Sequence, residues 1–279
     1  MRLRLYHHRD GARIAYRELG AGPALALVHS GLLSHREWDP AVAGLAERFR
    51  VVLPDLPLHG DSEDRPRHPY TLDWFAEVFA GFAAEVLGPR PLLAGHGAGA
   101  EVLLHAVLNG HTRPARLVLM PNRLHAPPAH PRAYAAWRLI ARAAAVPGLD
   151  SLLSHGVAAI FTPRRGMRLS VRGNPAAADL IRQAYADVPG NSSLARSWAK
   201  CARSWPSGAQ AQLLERCRLL DLPVLLLWAD RDSCFPLSTA EEALARLPDG
   251  QLRVLEGVGF LMAYDDPVGL VRELTAFCG

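Results

Sequence analysis

No histidine occurs from residue 156 to the C-terminus of this 279-residue chain. Any chemistry that needs an imidazole from the last third of the sequence is excluded. Cysteine is scarce too, and Cys201, Cys217, Cys234 and Cys278 form neither a CxxC pair nor a metal-finger spacing. They read as reduced, structural thiols, not as a disulfide framework. Apolar runs stop at strand length, so no transmembrane segment is expected. The first residues, MRLRLYHHRDG, lack the apolar stretch and small-residue cleavage site of a secretory signal. The expected compartment is the cytoplasm. With no H-x-H or H-E-x-x-H spacing and no nucleic-acid motif, the chain is expected to hold no metal, use no cofactor and bind no nucleic acid.

What the chain does have is apolar content, 49% of residues, with no repeat period. That suits a soluble globular protein with one α/β core and an insertion. The net charge of +4 is uneven: residues 123–218 carry 13 Arg and 1 Lys against 3 Asp and 1 Glu. A basic middle reads either as a soluble Arg-rich surface or as attraction for an acidic ligand, partner or membrane surface.

Six near-continuous apolar runs, at 24–30, 50–56, 91–96, 116–122, 223–230 and 251–257, have the character of strands buried on both faces. RLRLYHH and RIAYREL form an expected hairpin around Asp10-Gly11. Helical spacing marks 71–87, with Thr71 as N-cap, and also AGAEVLLHAVLNG and LSTAEEALARL. This alternation predicts a mostly parallel sheet flanked by helices. About a hundred residues between two core strands are too many for a plain loop. The expected division is therefore a core of 1–122 and 219–279 and a helical cap of 123–218 over the carboxyl ends of the strands.

The order of local motifs resembles the α/β-hydrolase superfamily over nearly the whole chain. LVHSGLLSHREWDP is similar to its His-Gly oxyanion loop, DLPLHGDS to its D-x-P-G-H-G-x-S turn, and LLAGHGAGA to its strand, nucleophile elbow and helix. LLLWADRDSCFP resembles the acid loop, and EGVGFLMAYDDP the terminal loop that carries the base. The resemblance implies the α/β-hydrolase fold, and a Ser-His-Asp mechanism in which a serine on a strained turn is activated by an oriented imidazole.

Two of the three matching positions lack the required chemistry. Gly95 and Gly99 flank the turn, but the nucleophile position is Gly97, and counting back from Pro267 puts Phe260 at the base position. Asp232 stands at the acid position, with Asp230 a weaker candidate. Loss of the nucleophile or base from such a triad costs about as much as loss of the whole, roughly a millionfold. Ordinary ester hydrolysis is not expected. Oxyanion donors would still be offered by the backbone of Ala98 and of the Gly31-Leu32 stretch, at a loop where Ser30 replaces a family glycine. Residual catalysis of roughly a thousandfold can survive on such donors and binding alone. The missing serine side chain also leaves an expectation of extra room at the turn.

The other polar candidates are His29, beside the oxyanion loop, His96, read as packing away from the site, and His59, read as bonding its own loop. Cys234, Ser30 and Ser34 lie near enough in sequence to be replacement nucleophiles. Phe260, Trp38, Met262, Tyr264, Tyr134 and Trp137 form a candidate aromatic and apolar lining. Three readings stay open. The first is a non-hydrolytic pseudoenzyme that holds a small apolar or acyl-type ligand or a protein partner. The second is a cofactor-independent lyase, isomerase or cyclase that transfers protons through Asp232 or His29. The third is a hydrolase with a displaced nucleophile.

Overall fold

Strands β1 (Arg4–His7), β2 (Arg13–Leu19), β3 (Ala24–Val28), β4 (Arg50–Pro54), β5 (Leu92–Gly95), β6 (Arg116–Leu119), β7 (Val224–Ala229) and β8 (Gly250–Leu255) form one sheet in the order β1-β2-β4-β3-β5-β6-β7-β8. The computed structural model describes residues 1–63, 65, 67–127, 131–143, 146, 169–185, 191–206 and 210–279. β1 pairs antiparallel with β2 and β2 antiparallel with β4, while all pairs from β4 to β8 are parallel. This is the α/β-hydrolase fold class implied by the motifs.

Alternation along the inner strands explains their unbroken apolar sequences. Leu25 and Leu27 of β3 face one core cluster, and Ala26 and Val28 face the other. β7 divides in the same way, with Leu225 and Leu227 on one side and Leu226 and Trp228 on the opposite one. A strand covered on both faces has no position for a polar residue. Helices α2 (Leu72–Phe82) and α3 (Ala98–Leu108) supply one cover, and α1 (Asp39–Ala46) and the C-terminal helix supply the other. Each fully buried leucine contributes roughly 2 kcal/mol of apolar transfer, so this double layer dominates the fold's stability.

β8 departs from the expectation of a strand buried on both faces. Of its six residues only Leu255 is buried, because β8 closes the sheet and pairs on one side alone. Thr71 caps α2 as expected, its hydroxyl accepting from the Trp74 N–H at 3.2 Å.

Between β6 and β7 lie α4 (Pro131–Ala143), α5 (Pro175–Tyr185), α6 (Ser192–Ser204) and α7 (Ala211–Arg216). α8 (Leu237–Leu244) follows β7, and α9 (Met262–Asp265) and α10 (Pro267–Cys278) complete the chain.

Candidate functional site

The turn joining β5 to α3 is built around close backbone approach. A Cβ on Gly99 would collide with the carbonyl oxygens of Val28 and His29, so only glycine lets α3 start this near β3. Gly97 is the N-cap of α3 at φ 51°, ψ −122°, a left-handed conformation that any side chain would adopt under strain. The chain therefore keeps the sharp strand-to-helix turn without a hydroxyl on it.

The turn is not roomy, contrary to the expectation drawn from the missing side chain. Ser30 fills it: a Cβ placed on Gly97 would overlap Ser30 Oγ and lie 2.9 Å from Ser30 Cβ. Ser30 is 5% exposed, and its hydroxyl makes no hydrogen bond among the described residues. Beside it, the N–H groups of Leu32 and of Ala98, the first residue of α3, donate to no acceptor among the described residues. Leu32 is itself in the left-handed region, φ 69°.

Phe260 occupies the end of the β8–α9 loop and packs with Leu33, Leu180, Ile181 and Tyr264. Its ring lies 4.4 Å from that of His96 and 6.0 Å from that of Phe235. His96 thus faces Phe260, where sequence reasoning had it turned away. His96 Nδ1 bonds Glu37 Oε1, and the other oxygen of Glu37 accepts from the Ser30 N–H at 2.7 Å. Glu37 was not singled out in the sequence, because nothing local marks an acid 59 residues before its histidine partner.

Asp232 accepts the N–H groups of Cys234 and Phe235 through Oδ1, at 2.6 and 3.0 Å. Its Oδ2 is buried without a partner among the described residues, and burial raises its pKa against those two bonds. Asp230 instead accepts the Val258 N–H at 3.1 Å. The two carboxylates hold loops.

The remaining candidates lose their chemistry on inspection. His29 donates from Nδ1 to the Ser30 carbonyl oxygen at 2.8 Å and accepts the Leu56 N–H on Nε2 at 3.0 Å. Both nitrogens are committed and burial lowers its pKa, so it stays neutral and cannot serve as a base. Burial, then the charge of Asp232, pushes the Cys234 thiol up to about 11, the wrong direction for a nucleophile. The Ser34 hydroxyl accepts from the Arg36 N–H at 3.4 Å in a short helical turn. His35, Asp55 and Asp61 bring possible metal ligands within 4.8 Å of one another, yet the Arg17 guanidinium sits among them and donates to Asp61 at 2.6 Å.

A cavity of ≈ 260 Å³ opens over the unclaimed N–H groups. Gly31, Leu32 and the loop residue Leu56 line it with Phe75 of α2 and Ala98 of α3, and Trp198, Cys201 and Ala202 of α6, with Trp205, line it from the inserted segment. Of the aromatic lining expected from the sequence, Trp38 and Met262 belong to the core, and Tyr264 donates to the Arg36 carbonyl oxygen at 2.8 Å. The side chains of Tyr134 and Trp137 lie outside the described residues. Trp205 is fixed by its indole N–H, which donates to Glu101 of α3 at 2.9 Å, and Glu101 also pairs with Arg123 at 3.3 Å.

His59 lines this cavity and a polar one of ≈ 580 Å³, which share Leu32, His59 and Trp198. Its Nδ1 donates to the Pro57 carbonyl oxygen at 3.0 Å, as loop bonding required, and its ring packs 4.8 Å from Trp198. Burial first, and the neighbouring His29 second, lower its pKa to about 3.

Comparison with known proteins agrees with this geometry. A sequence model of the family described as alpha/beta hydrolase fold matches residues 23–267. The pimeloyl-[acyl-carrier protein] methyl ester esterase of Methylococcus capsulatus is 31% identical over 234 residues, covering 83% of this chain and 84% of that protein. A non-heme haloperoxidase of Rhodococcus erythropolis is 26% identical over 283 residues and 96% of each chain. Among solved structures, an alpha/beta hydrolase fold protein from Burkholderia ambifaria superposes with a TM-score of 0.80 at 23% identity, covering 98% of this chain and 97% of its own.

Proposed function

The chain belongs to the α/β-hydrolase fold family, and from that premise we propose that it holds a small apolar or acyl-type ligand without hydrolysing it. The observation that carries this reading is the pairing of Gly97 at the strained turn with Phe260 packed among apolar side chains. Gly97 brings no hydroxyl and Phe260 no imidazole, and both steps of acyl transfer by the Ser-His-Asp mechanism need them. The cavity is apolar with two backbone donors at one end, which suits an acyl chain with an oxygen acceptor. In this reading residues 123–218 act as a cap, since α6 and Trp205 supply much of the cavity wall. A protein partner remains a role for the outer face of that Arg-rich segment.

The other two readings have less to support them. A lyase, isomerase or cyclase would need a proton-transfer group facing the ligand, and neither Asp232 nor His29 lines the cavity. A displaced hydrolytic nucleophile would need a base on Ser30, Ser34 or Cys234, and no imidazole bonds the hydroxyl or thiol of any of them among the described residues. No helix among the described residues is long and apolar enough to cross a membrane, and the cytoplasm is the proposed compartment.

The test is intact-mass analysis of the purified protein after incubation with a fluorophosphonate, an iodoacetamide and an activated octanoyl ester. The expected result is no acyl or phosphonyl adduct. A stoichiometric serine adduct, or a rapid acyl adduct on Cys234, would overturn the reading.

A further inference from the structure

His59, a residue of the cavity wall, is 6% exposed, and its Nδ1 donates to the Pro57 carbonyl oxygen at 3.0 Å. A carbonyl cannot donate, so the ring proton is fixed on Nδ1, and Nε2 keeps a bare lone pair on the far side of the ring. That Nε2 is buried with no hydrogen-bond partner among the described residues. Its nearest imidazole has no proton left to give: the His29 ring, 4.8 Å away, donates to the Ser30 carbonyl oxygen and takes the Leu56 N–H on its other nitrogen. A buried acceptor left unmet is a cost to the fold unless something donates to it. The place of this ring matters. It stands edge to face against Trp198, at 4.8 Å and 79°, and these two side chains, with Leu32, form the wall that the apolar cavity shares with the polar one.

We infer that His59 is a ligand-binding residue, and that its Nε2 accepts a hydrogen bond from the hydroxyl of an aliphatic alcohol held in the apolar cavity. This rests on the ligand-holding reading above and names a group that its ligand carries. The lone pair calls for a single donor. An ester and a carboxylate bring none, and an ammonium would strand its other N–H groups among Leu56, Phe75 and Trp205. A hydroxyl has one donor to spend, and the polar cavity, with Ser34, Gln183 and Asn191 in its lining, opens beside the same ring, so the hydroxyl oxygen does not face apolar groups alone. An acyl-type ligand meets the same condition when its chain bears a hydroxyl. The role is recognition without proton transfer: burial holds the ring's pKa at about 3, so it accepts the bond and leaves the proton on the ligand.

The test titrates wild-type protein and its His59→Phe variant with n-octanol and with heptyl methyl ether, which has the same heavy atoms and no donor. Binding is followed by calorimetry and by the nitrogen NMR signals of the His59 ring. The expected result is n-octanol bound at least about fivefold more tightly than the ether by wild type, with an Nε2 signal that moves for the alcohol and not for the ether. His59→Phe, which keeps a ring between His29 and Trp198, should lose the preference. Equal or tighter binding of the ether by wild type, which needs no variant, would overturn the inference and leave the ligand-holding reading standing. So would a preference that survives in His59→Phe, or an Nε2 signal unmoved by bound alcohol. Failure of both probes to bind wild type would overturn the ligand-holding reading as well.

Discussion

The Ser30 side chain and the missing side chain of Gly97 are mutually exclusive occupants of one space. A Cβ on Gly97 would overlap Ser30 Oγ. The positive φ of Gly97 adds roughly 1–2 kcal/mol for any other residue, and overpacking against Ser30 adds about 1–3 kcal/mol. Gly97→Ser is therefore expected to lose about 3 kcal/mol of stability in urea unfolding. Ser30→Gly in the same chain should return the overpacking share, a coupling of about 1–2 kcal/mol in the double-mutant cycle. Strict additivity of the two changes would show that the side chains do not compete.

Glu101 joins the core to the inserted segment through Arg123 and Trp205. Removing one partner of a buried pair leaves an uncompensated charge, so Glu101→Ala is expected to cost about 3–5 kcal/mol. Glu101→Gln keeps an acceptor for the Trp205 indole and should cost less. Thermal melts of the two variants, with fluorescence of Trp205 as the local reporter, check both the size and the order of the effects.

His59 sets an acid limit on stability. Its folded pKa, about 3, lies below the ordinary 6.5, so between these values the unfolded chain binds the proton more readily. The sign follows: its contribution is complete above pH 6.5 and declines as pH falls towards 3, by up to about 1.4 kcal/mol per pH unit. His59→Phe, which keeps a ring between His29 and Trp198, should flatten that part of the stability profile measured by urea unfolding at pH 4 to 7. An unchanged slope would mean that His59 is protonated in the folded protein.

The sheet was legible because buried parallel strands such as VLLLWA cannot avoid continuous apolar sequence. The edge strand β8 was misread for the same reason, since GQLRVL carries enough apolar residues to look covered. The flanking glycines put Gly97 on a strand-to-helix turn and the spacing to Pro267 put Phe260 in the loop after the last strand, and both stand there. The Ser30–Gly97 exclusion was not, because it depends on the distance between two loops 67 residues apart in sequence. The Glu37–His96 contact and the cavity wall from Trp198, Cys201 and Trp205 share that property. The aromatic residues chosen by proximity to motifs, Trp38 and Met262, went instead to the core, the usual destination of such side chains.

The most direct measurement is turnover of 4-nitrophenyl octanoate by wild-type protein beside the triple variant Ser30→Gly/Gly97→Ser/Phe260→His. The first change is needed because a serine at 97 has no space while Ser30 stands there. The third would set an imidazole at the position of Phe260, whose ring lies 6.0 Å from that of Phe235, the residue whose N–H Asp232 accepts. The expected result is a wild-type rate equal to buffer and a saturable rate in the triple variant well above it. Saturable turnover by wild type, no faster in the triple variant, would contradict the claim that this hydrolase scaffold has exchanged its chemistry for binding.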